Sequence, residues 1–165
     1  MTHPLSDVVC RQAATSEQKA LEALQWRASL TNASYRDALL AHPDAVELPL
    51  DQIAAGHVFV AERAGVTLGF AAILSRSDGA TELDGLFVEP DLWKQGIGRL
   101  LVEHCASAAR GHGSAALHVV ANPDAEGFYQ TCGFERIGTV QTRFGPAWSM
   151  RKMLQADDTT ELLEP

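Results

Sequence analysis

Residues 83–101 read LDGLFVEPDLWKQGIGRLL and change from the pattern of a strand to the pattern of a helix. Apolar residues dominate as far as Val88, and Pro90 cannot donate a ladder hydrogen bond, so the strand should end near Glu89. From Ile97 the apolar residues recur at helical spacing. The sequence therefore predicts a strand, a tight turn and a helix in direct succession.

The turn contains Gly96, Ile97 and Gly98, which lie where the predicted helix begins. Glycines let the backbone approach a ligand closely, and the N–H groups of a first helical turn favour an anion. We interpret this segment as a phosphate-binding turn. A glycine pair alone is a weak signal. A dinucleotide-binding fingerprint would need a third glycine near Leu101, and a nucleotide kinase turn would need Gly-Lys-Ser/Thr, and both are absent from the sequence.

The apolar residues of the strand are out of phase with one another. Strict alternation places Leu83 on one face and Leu86 and Val88 on the other. One extra residue near Asp84 and Gly85 would return all three to a single buried face, and a β-bulge does this while bending the strand away from its neighbour. We therefore expect a gap in the sheet beside the phosphate turn.

Length and composition predict one domain. The chain has 165 residues, of which 46% are hydrophobic, and single domains commonly have ~100–200 residues. We expect the domain at residues 1–154 and an acidic, flexible tail at residues 155–165. A formal charge of −8 argues against a nucleic-acid surface. The start lacks a signal peptide and no apolar run approaches the ~20 residues that span a bilayer, so we expect a cytoplasmic protein without membrane contact.

The cysteines and histidines show no metal-ligand spacing. Cys10, Cys105 and Cys132 are odd in number and lie among apolar or helical residues, which favours reduced structural thiols. The six histidines are not paired as in a zinc site, so we expect no metal.

The rest of the chain predicts strands and helices around the opening segment. A helix between two strands favours a right-handed crossover that makes them parallel. Residues 46–55 show no readable pattern. Capping-box spacing occurs at Thr15 and Gln18, and the last two strands should be joined by a turn at Gly145 and Pro146. The predicted helices are residues 16–30, residues 34–41 and the segment from Asn122 to Gly133. The predicted strands are residues 6–13, 57–62, 67–75, 115–121, 134–143 and 147–154.

Three separated features together resemble the GNAT superfamily of acetyl-CoA-dependent N-acetyltransferases: LFVEP leading into KQGIGRLL, ANPDAEGFYQTCGF after a predicted buried strand, and the strand order around them. The resemblance covers about residues 57–138. It implies a single α/β domain with a central mixed, mostly antiparallel sheet of about seven strands, splayed near the middle, and helices on both faces. The family's turn has Arg or Gln, two residues, Gly, one residue, and Gly or Ala. Gly96 and Gly98 match, and Trp93 stands at the Arg/Gln position.

The resemblance also implies how acetyl-CoA is held. Backbone groups of Leu86, Phe87 and Val88 would bind the pantetheine arm as an added strand, and an amide near Val88 would polarise the thioester carbonyl. Asn122 would orient the arm, and Tyr129 would lie near the coenzyme sulfur. The backbone amides that would bind the pyrophosphate are those of Gln95, Gly96, Ile97, Gly98 and Arg99.

The implied reaction is direct transfer of acetyl to a primary amine in a ternary complex. An alkyl ammonium titrates near ~10, so a base must remove a proton before attack, and the phenol of Tyr129 can assist the leaving thiolate. Glu82 is the preferred base, with Asp84, His118 or no dedicated residue as alternatives. Cys132 invites a ping-pong scheme, but its place in TCGF favours a packed thiol.

The acceptor is predicted only as a class, a small-molecule amine or a basic peptide. Two other functions stay open, a non-catalytic acyl-CoA sensor and a protein-modifying acetyltransferase. By resemblance, Trp26, Tyr35, Phe144 and Trp148 could line the acceptor pocket, although each is a candidate for ordinary packing. The family also allows a homodimer through the terminal strands.

Overall fold

The computed structural model describes residues 5–155. Apart from Gln155, the predicted tail at residues 155–165 lies outside the described residues. The strands are β1 Val8–Gln12, β2 Val58–Arg63, β3 Val66–Ser75, β4 Thr81–Val88, β5 Ala116–Ala121, β6 Glu135–Thr142 and β7 Gly145–Met153. The helices are α1 Gln18–Leu30, α2 Ala33–Ala41, α3 Leu50–Ala54, α4 Ile97–Gly111 and α5 Glu126–Thr131. Within residues 5–155, no helix has both the length and the apolar composition of a membrane span.

The strands form a 7-stranded sheet in the order β1-β2-β3-β4-β5-β7-β6. Strands β4 and β5 run parallel, and the other neighbouring strands run antiparallel. Helix α4 joins β4 to β5, as the crossover prediction required. The predicted mixed, mostly antiparallel sheet is confirmed.

Strands β4 and β5 separate shortly after they meet. Their pairing begins at Thr81 with Leu117 and ends at Leu83 with Val119. Beyond that point β4 follows β3 as far as Val88, while β5 follows β7. The space between the two diverging strands, called the split below, confirms the predicted gap in the sheet.

The bulge that opens the split lies at Asp84. Ile73 of β3 pairs with Leu83, and the preceding residue of β3, Ala72, pairs with Gly85, so Asp84 has no partner in this register. The extra residue changes the phase of the side chains by one position. Leu83 lies in the core between the sheet and α4, and Leu86 and Val88 pack against the same core, as predicted.

The two faces of the sheet carry separate cores. On the α4 face, Ile97, Leu101 and Cys105 pack on the central strands. On the opposite face, Leu21 and Leu24 of α1 and the α3 residue Ile53 cover side chains of β2 and β3. Alternation along β2 supplies both cores, with Val58 and Val60 on the α1 face and Phe59 and Ala61 on the α4 face.

Helix α1 begins two residues later than predicted, at Gln18 instead of residue 16. A 3-10 turn at Thr15–Glu17 precedes the helix. The N-terminus of this turn is capped by a hydrogen bond of 2.7 Å from the Ala14 N–H to Glu17 Oε2. Arg11 also binds Glu17, which lowers the pKa of that carboxyl through a side-chain hydrogen bond. Gln18, the expected capping partner, instead donates its amide to the Leu48 carbonyl at 2.7 Å.

Two other segments differ from prediction. Residues 46–55, which had no readable pattern, contain α3. The turn between β6 and β7 lies before Gly145 and Pro146, which belong to β7. Thr142 closes this turn because its hydroxyl donates to the Gly145 carbonyl at 2.7 Å and accepts from the Phe144 N–H at 3.1 Å. Pro146 is tolerated because it lies at the start of its strand.

Candidate active site

The turn between β4 and α4 leads into a helix N-terminus without a side-chain cap at Gly96. Gly96 has φ +90°, a left-handed conformation that disfavours a side chain, and Lys94 also has a positive φ of 66°. The Gly96 carbonyl accepts the first helical hydrogen bond, from the Leu100 N–H at 3.1 Å. The preceding N–H groups, on Ile97, Gly98 and Arg99, therefore lack partners within the helix, which is the arrangement that binds anions.

Gly98 lies where β4, α4 and α5 meet. A Cβ atom added there would lie 3.2 Å from Phe128 Cζ and 3.8 Å from Val88 Cγ2. Packing against α5 thus gives a second reason for the absent side chain, beside the close approach of a ligand that the sequence predicts. The backbone N–H of Gly98 keeps its place in the helix N-terminus.

Trp93 is bound to the end of β4. Its indole Nε1 donates to the Val88 carbonyl at 2.9 Å, while the residue remains 46% exposed. The sequence pattern placed Trp93 at the family's Arg/Gln position and carried no signal for this hydrogen bond.

Alternate backbone groups of β4 point into the split. The Glu89 N–H donates to the Leu68 carbonyl of β3 at 2.9 Å. Because antiparallel strands exchange hydrogen bonds at every second residue, Phe87 also directs its backbone towards β3, and Leu86 and Val88 direct theirs away from it. Leu86 and Val88 therefore face the place expected for an added strand, and the Phe87 backbone does not.

Asn122 follows β5 on the other side of the split. Its Oδ1 accepts a hydrogen bond from the Asp124 N–H at 3.1 Å. Its Nδ2 is buried and has no partner among the described residues. An unpaired buried donor costs ~1–3 kcal/mol, which a ligand acceptor such as a pantetheine amide carbonyl would recover. This atom fits the predicted coenzyme arm.

Tyr129 lies in the core of the α4 face at 8% exposure. Its ring makes edge contacts with Phe128 and Phe134, at centroid distances of 5.1 and 5.4 Å. Burial raises the pKa of the phenol well above its ordinary value. The hydroxyl is therefore a hydrogen-bond donor at neutral pH, whatever packing role the ring also has.

The face of the sheet opposite α4 carries the candidate bases. Glu82 and His118 are register partners at the closed end of the split, and both face away from the α4 core because their neighbours point into it. Glu82 Oε1 lies 3.7 Å from Arg76 Nη1. Burial, and secondarily Arg76, lower the pKa of His118. Asp84 lies beside them at the bulge and is exposed.

Two further groups of residues bear on the predicted site. Tyr35 of α2 contacts Phe144 in the β6–β7 turn at a centroid distance of 5.6 Å, so two of the four aromatic candidates for the acceptor pocket meet. Burial raises the pKa of Cys132, and that of Cys105 to about 12, which leaves both thiols protonated and poorly nucleophilic at neutral pH. No metal-binding group of three or more acidic, histidine or cysteine side chains occurs in the described part of the chain.

The α3 residue Gln52 is a site neighbour that the sequence did not reveal. Its amide reaches the bulge, with Nε2 3.3 Å from Asp84 Oδ2. No motif or periodicity marks this residue, because α3 has five residues and its contacts are distant in sequence.

Comparisons with known proteins agree with this geometry. Residues 54–136, half of the chain, match the family model of the acetyltransferase (GNAT) domain. The peptidyl-lysine N-acetyltransferase YjaB of Salmonella typhimurium is 41% identical over 56 residues, which cover 34% of this chain and 37% of that protein. The match therefore spans little more than a third of that relative's length.

Solved structures share the fold. A putative acetyltransferase of Salmonella typhimurium, yncA, solved with its cofactor acetyl-CoA, has a TM-score of 0.69 at 21% identity, covering 92% of this chain and 96% of that one. The paia N-acetyltransferase of Thermoplasma acidophilum, in complex with coenzyme A, has a TM-score of 0.70 at 16% identity, covering 88% and 98%. With the family model matched over the split, the turn and α5, the chain belongs to the GNAT acetyltransferase family.

Proposed function

We propose that this protein transfers an acetyl group from acetyl-CoA to a primary amine by direct attack in a ternary complex. The observation that carries the proposal is the buried, unpaired Nδ2 of Asn122 on one side of the split, opposite the outward backbone groups of β4. Two solved relatives of the same fold, described with acetyl-CoA and coenzyme A, support the choice of cosubstrate.

Three parts of the chain would hold the cosubstrate. The N–H groups at the start of α4 would bind the pyrophosphate, because they lack partners within the helix and the helix dipole favours an anion there. The backbone of Leu86 and the N–H of Val88 would pair with the pantetheine arm, since the Val88 carbonyl already accepts from Trp93 Nε1. Asn122 would donate to an acceptor on the arm from the other side. The residues proposed to bind the pyrophosphate are therefore still Gln95, Gly96, Ile97, Gly98 and Arg99. Phe87 is not proposed to bind the pantetheine arm through its backbone, and its side chain packs against Phe70.

The chemistry divides among three groups. The Val88 N–H would stabilise negative charge on the thioester oxygen as the amine nitrogen bonds to the carbonyl carbon. Glu82 would take the proton of the ammonium through a water molecule, with Asp84 and His118 as alternatives on the same face. As the carbon–sulfur bond breaks, Tyr129 would donate a hydrogen bond to the departing thiolate. A full proton transfer is unfavourable because the thiol's ordinary pKa is ~8.5 and burial raises that of the phenol above ~10.

A second candidate acceptor is a lysine side chain in a protein. The curated relative that matches a third of the chain is named as a peptidyl-lysine N-acetyltransferase. The amine of a small molecule and the lysine of a peptide need the same chemistry and differ only in the space around the acceptor face. A cytoplasmic location and a homodimer through the terminal strands remain predictions from the sequence.

The test combines acetyl-CoA binding with thiol release on a panel of polyamines, amino acids and lysine peptides. The matched variant is Asn122→Asp, which keeps the oxygen that accepts from Asp124 and removes the unpaired donor. We expect the wild type to release thiol with at least one amine, and Asn122→Asp to bind acetyl-CoA about tenfold more weakly. Binding without release on any amine or peptide would favour the acyl-CoA sensor, and absence of binding would refute the proposal.

A further inference from the structure

Gln52 is a buried polar residue that links α3 to the central strands. It is 7% exposed, and its single amide nitrogen makes two contacts, to the Ile73 carbonyl at 3.0 Å and to Asp84 Oδ2 at 3.3 Å. An amide Nε2 carries two hydrogens, so these contacts use all its donors. The residue therefore bridges β3 and β4 from outside the sheet.

The contact with the Ile73 carbonyl replaces a missing backbone hydrogen bond between β2 and β3. The Ile73 N–H donates to the His57 carbonyl at 2.8 Å, as in an antiparallel pair, but the reciprocal bond is absent because the His57 N–H donates to the Gln52 carbonyl at 3.1 Å. The Gln52 side chain supplies the donor that Ile73 lacks. Backbone and side chain of one residue thus close the end of the β2–β3 ladder.

The second contact falls on the residue that creates the bulge. The register between β3 and β4 shifts between Ala72 and Ile73, and Asp84 is the residue without a partner. Gln52 Nε2 therefore donates both to the carbonyl of Ile73, which lies at the register shift, and to the side chain of Asp84, the extra residue. A bulge displaced by one position would separate these two acceptors and reverse the side chains between the old and new positions.

We propose that Gln52 is a positioning residue for acetyl transfer, fixing the bulge and hence the separation between Glu82 before it and the Val88 amide after it. The inference rests on the proposed function, since it gives a role to the spacing between the proposed base and the proposed oxyanion donor. Gln52 acts through β4 and does not contact the reacting atoms.

The decisive variant is Gln52→Met, which keeps the length of the side chain and removes both donors. Its matched control is Gln18→Met, which removes the similar bond of 2.7 Å from a glutamine amide to the Leu48 carbonyl, away from the bulge. We expect Gln52→Met to lower kcat about tenfold with KM for acetyl-CoA changed less than about threefold, because orientation is lost while the coenzyme contacts remain. Gln18→Met should keep kcat within about twofold, although it also removes a hydrogen bond between a glutamine amide and a backbone carbonyl.

A milder variant covers the case in which Gln52→Met does not fold. Asp84→Ala removes only the exposed end of the bridge and should lower kcat about threefold. Combined with Gln52→Met, it should add no further loss, because both changes break the same contact. Equal kcat values for Gln52→Met and Gln18→Met, or fully additive losses in the double variant, would overturn the proposal. If Gln52→Met does not fold, an unchanged kcat in Asp84→Ala would overturn it.

Hydrogen exchange separates failure of this inference from failure of the proposed function. If the wild type releases no thiol with any acceptor, the proposed function fails, and the bridge is judged by the amides of residues 83–88. Faster exchange of these amides in Gln52→Met than in Gln18→Met would support a bulge held by Gln52. Equal exchange would contradict it.

Discussion

The indole nitrogen of Trp93 donates a 2.9 Å hydrogen bond to the carbonyl oxygen of Val88. The side chain at the family's Arg/Gln position is therefore turned back onto the strand that precedes it. Trp93→Phe removes this donor and keeps an aromatic ring. Affinity for acetyl-CoA should fall about threefold, because a bond worth ~0.5–1.5 kcal/mol no longer holds the turn against β4. Titration calorimetry measures the change, and an unaltered affinity would contradict a role for the hydrogen bond.

The comparison variant at this position is Trp93→Arg, which introduces the family's residue. A cation beside the proposed pyrophosphate site should offset the lost hydrogen bond at low salt. The gain should shrink as ionic strength rises, because exposed charges are screened over ~10 Å at ~0.1 M salt.

A methyl group at Gly98 should disturb the contact between α4 and α5. In Gly98→Ala the new Cβ would lie 3.2 Å from Phe128 Cζ. We expect a loss of ~1–3 kcal/mol in the free energy of unfolding, measured by urea denaturation, together with weaker acetyl-CoA binding. The control is Gly111→Ala at the other end of the helix, where a Cβ meets nothing within 4 Å. Recovery of both properties on adding Phe128→Leu would identify packing as the cause, and continued weak binding would indicate direct obstruction of the ligand.

Removing the Tyr129 hydroxyl should affect rate more than binding. Tyr129→Phe keeps the ring that contacts Phe128 and Phe134 and deletes the proposed donor to the thiolate. We expect kcat to fall about 10- to 100-fold with acetyl-CoA affinity nearly unchanged. Steady-state kinetics and calorimetry on the same preparations provide the two values. Equal kcat values for variant and wild type would leave Tyr129 with only its packing role.

The proposed base predicts a pH-dependent defect. Glu82→Gln should lower kcat/KM by about 100-fold near pH 7, where almost all of an alkyl amine is protonated. The defect should shrink as pH rises towards ~9.5, because the free amine then needs no base. Rate profiles over this range test the assignment, with Asp84→Asn and His118→Asn measured beside it. A larger defect in either of these variants would move the role to that residue.

The buried thiol of Cys105 and the buried phenol of Tyr129 predict that the free energy of unfolding falls at high pH. Burial raises the pKa of Cys105 to about 12, and an unfolded thiol titrates near ~8.5. The folded form then favours the protonated thiol, so its contribution is complete below ~8.5 and is lost as pH rises from there through the folded pKa. The shift at Tyr129 has the same sign. Urea unfolding near pH 7 and near pH 10 should show the loss, and Cys105→Ala should reduce it. A pH-independent free energy of unfolding would contradict the argument.

The sequence predicted the central elements because their signals are local. The phase conflict between Leu83 and Val88 indicated the bulge, and the spacing from Ile97 indicated α4; both are confirmed. The contacts made across the fold had no such signal. The neighbour of Gly98 is Phe128, on another helix, and Gln52 reaches Asp84 from a short helix without periodicity.

Small errors in the sequence interpretation also have physical causes. Capping-box spacing at Thr15 and Gln18 was a plausible local pattern, but the carboxylate of Glu17 forms the contact one residue earlier. Gln18 instead donates to the Leu48 carbonyl, 30 residues away along the chain. Such competition between local and distant partners is invisible in a single sequence.

The even-numbered residues of β4 face one side of the sheet before the extra residue Asp84 and the other side after it. The strand has 8 residues, Thr81–Val88, and its partners on β3 run only from residue 69 to residue 75. Upstream, the even-numbered Glu82 points away from the α4 core; downstream, the even-numbered Leu86 and Val88 pack against it. Deleting Asp84 would restore regular alternation and keep Leu83, Leu86 and Val88 on the α4 face, so that only the bulge would be lost. The opening in the sheet therefore depends on one residue more in β4 than in the facing segment of β3, and a single deletion would remove it.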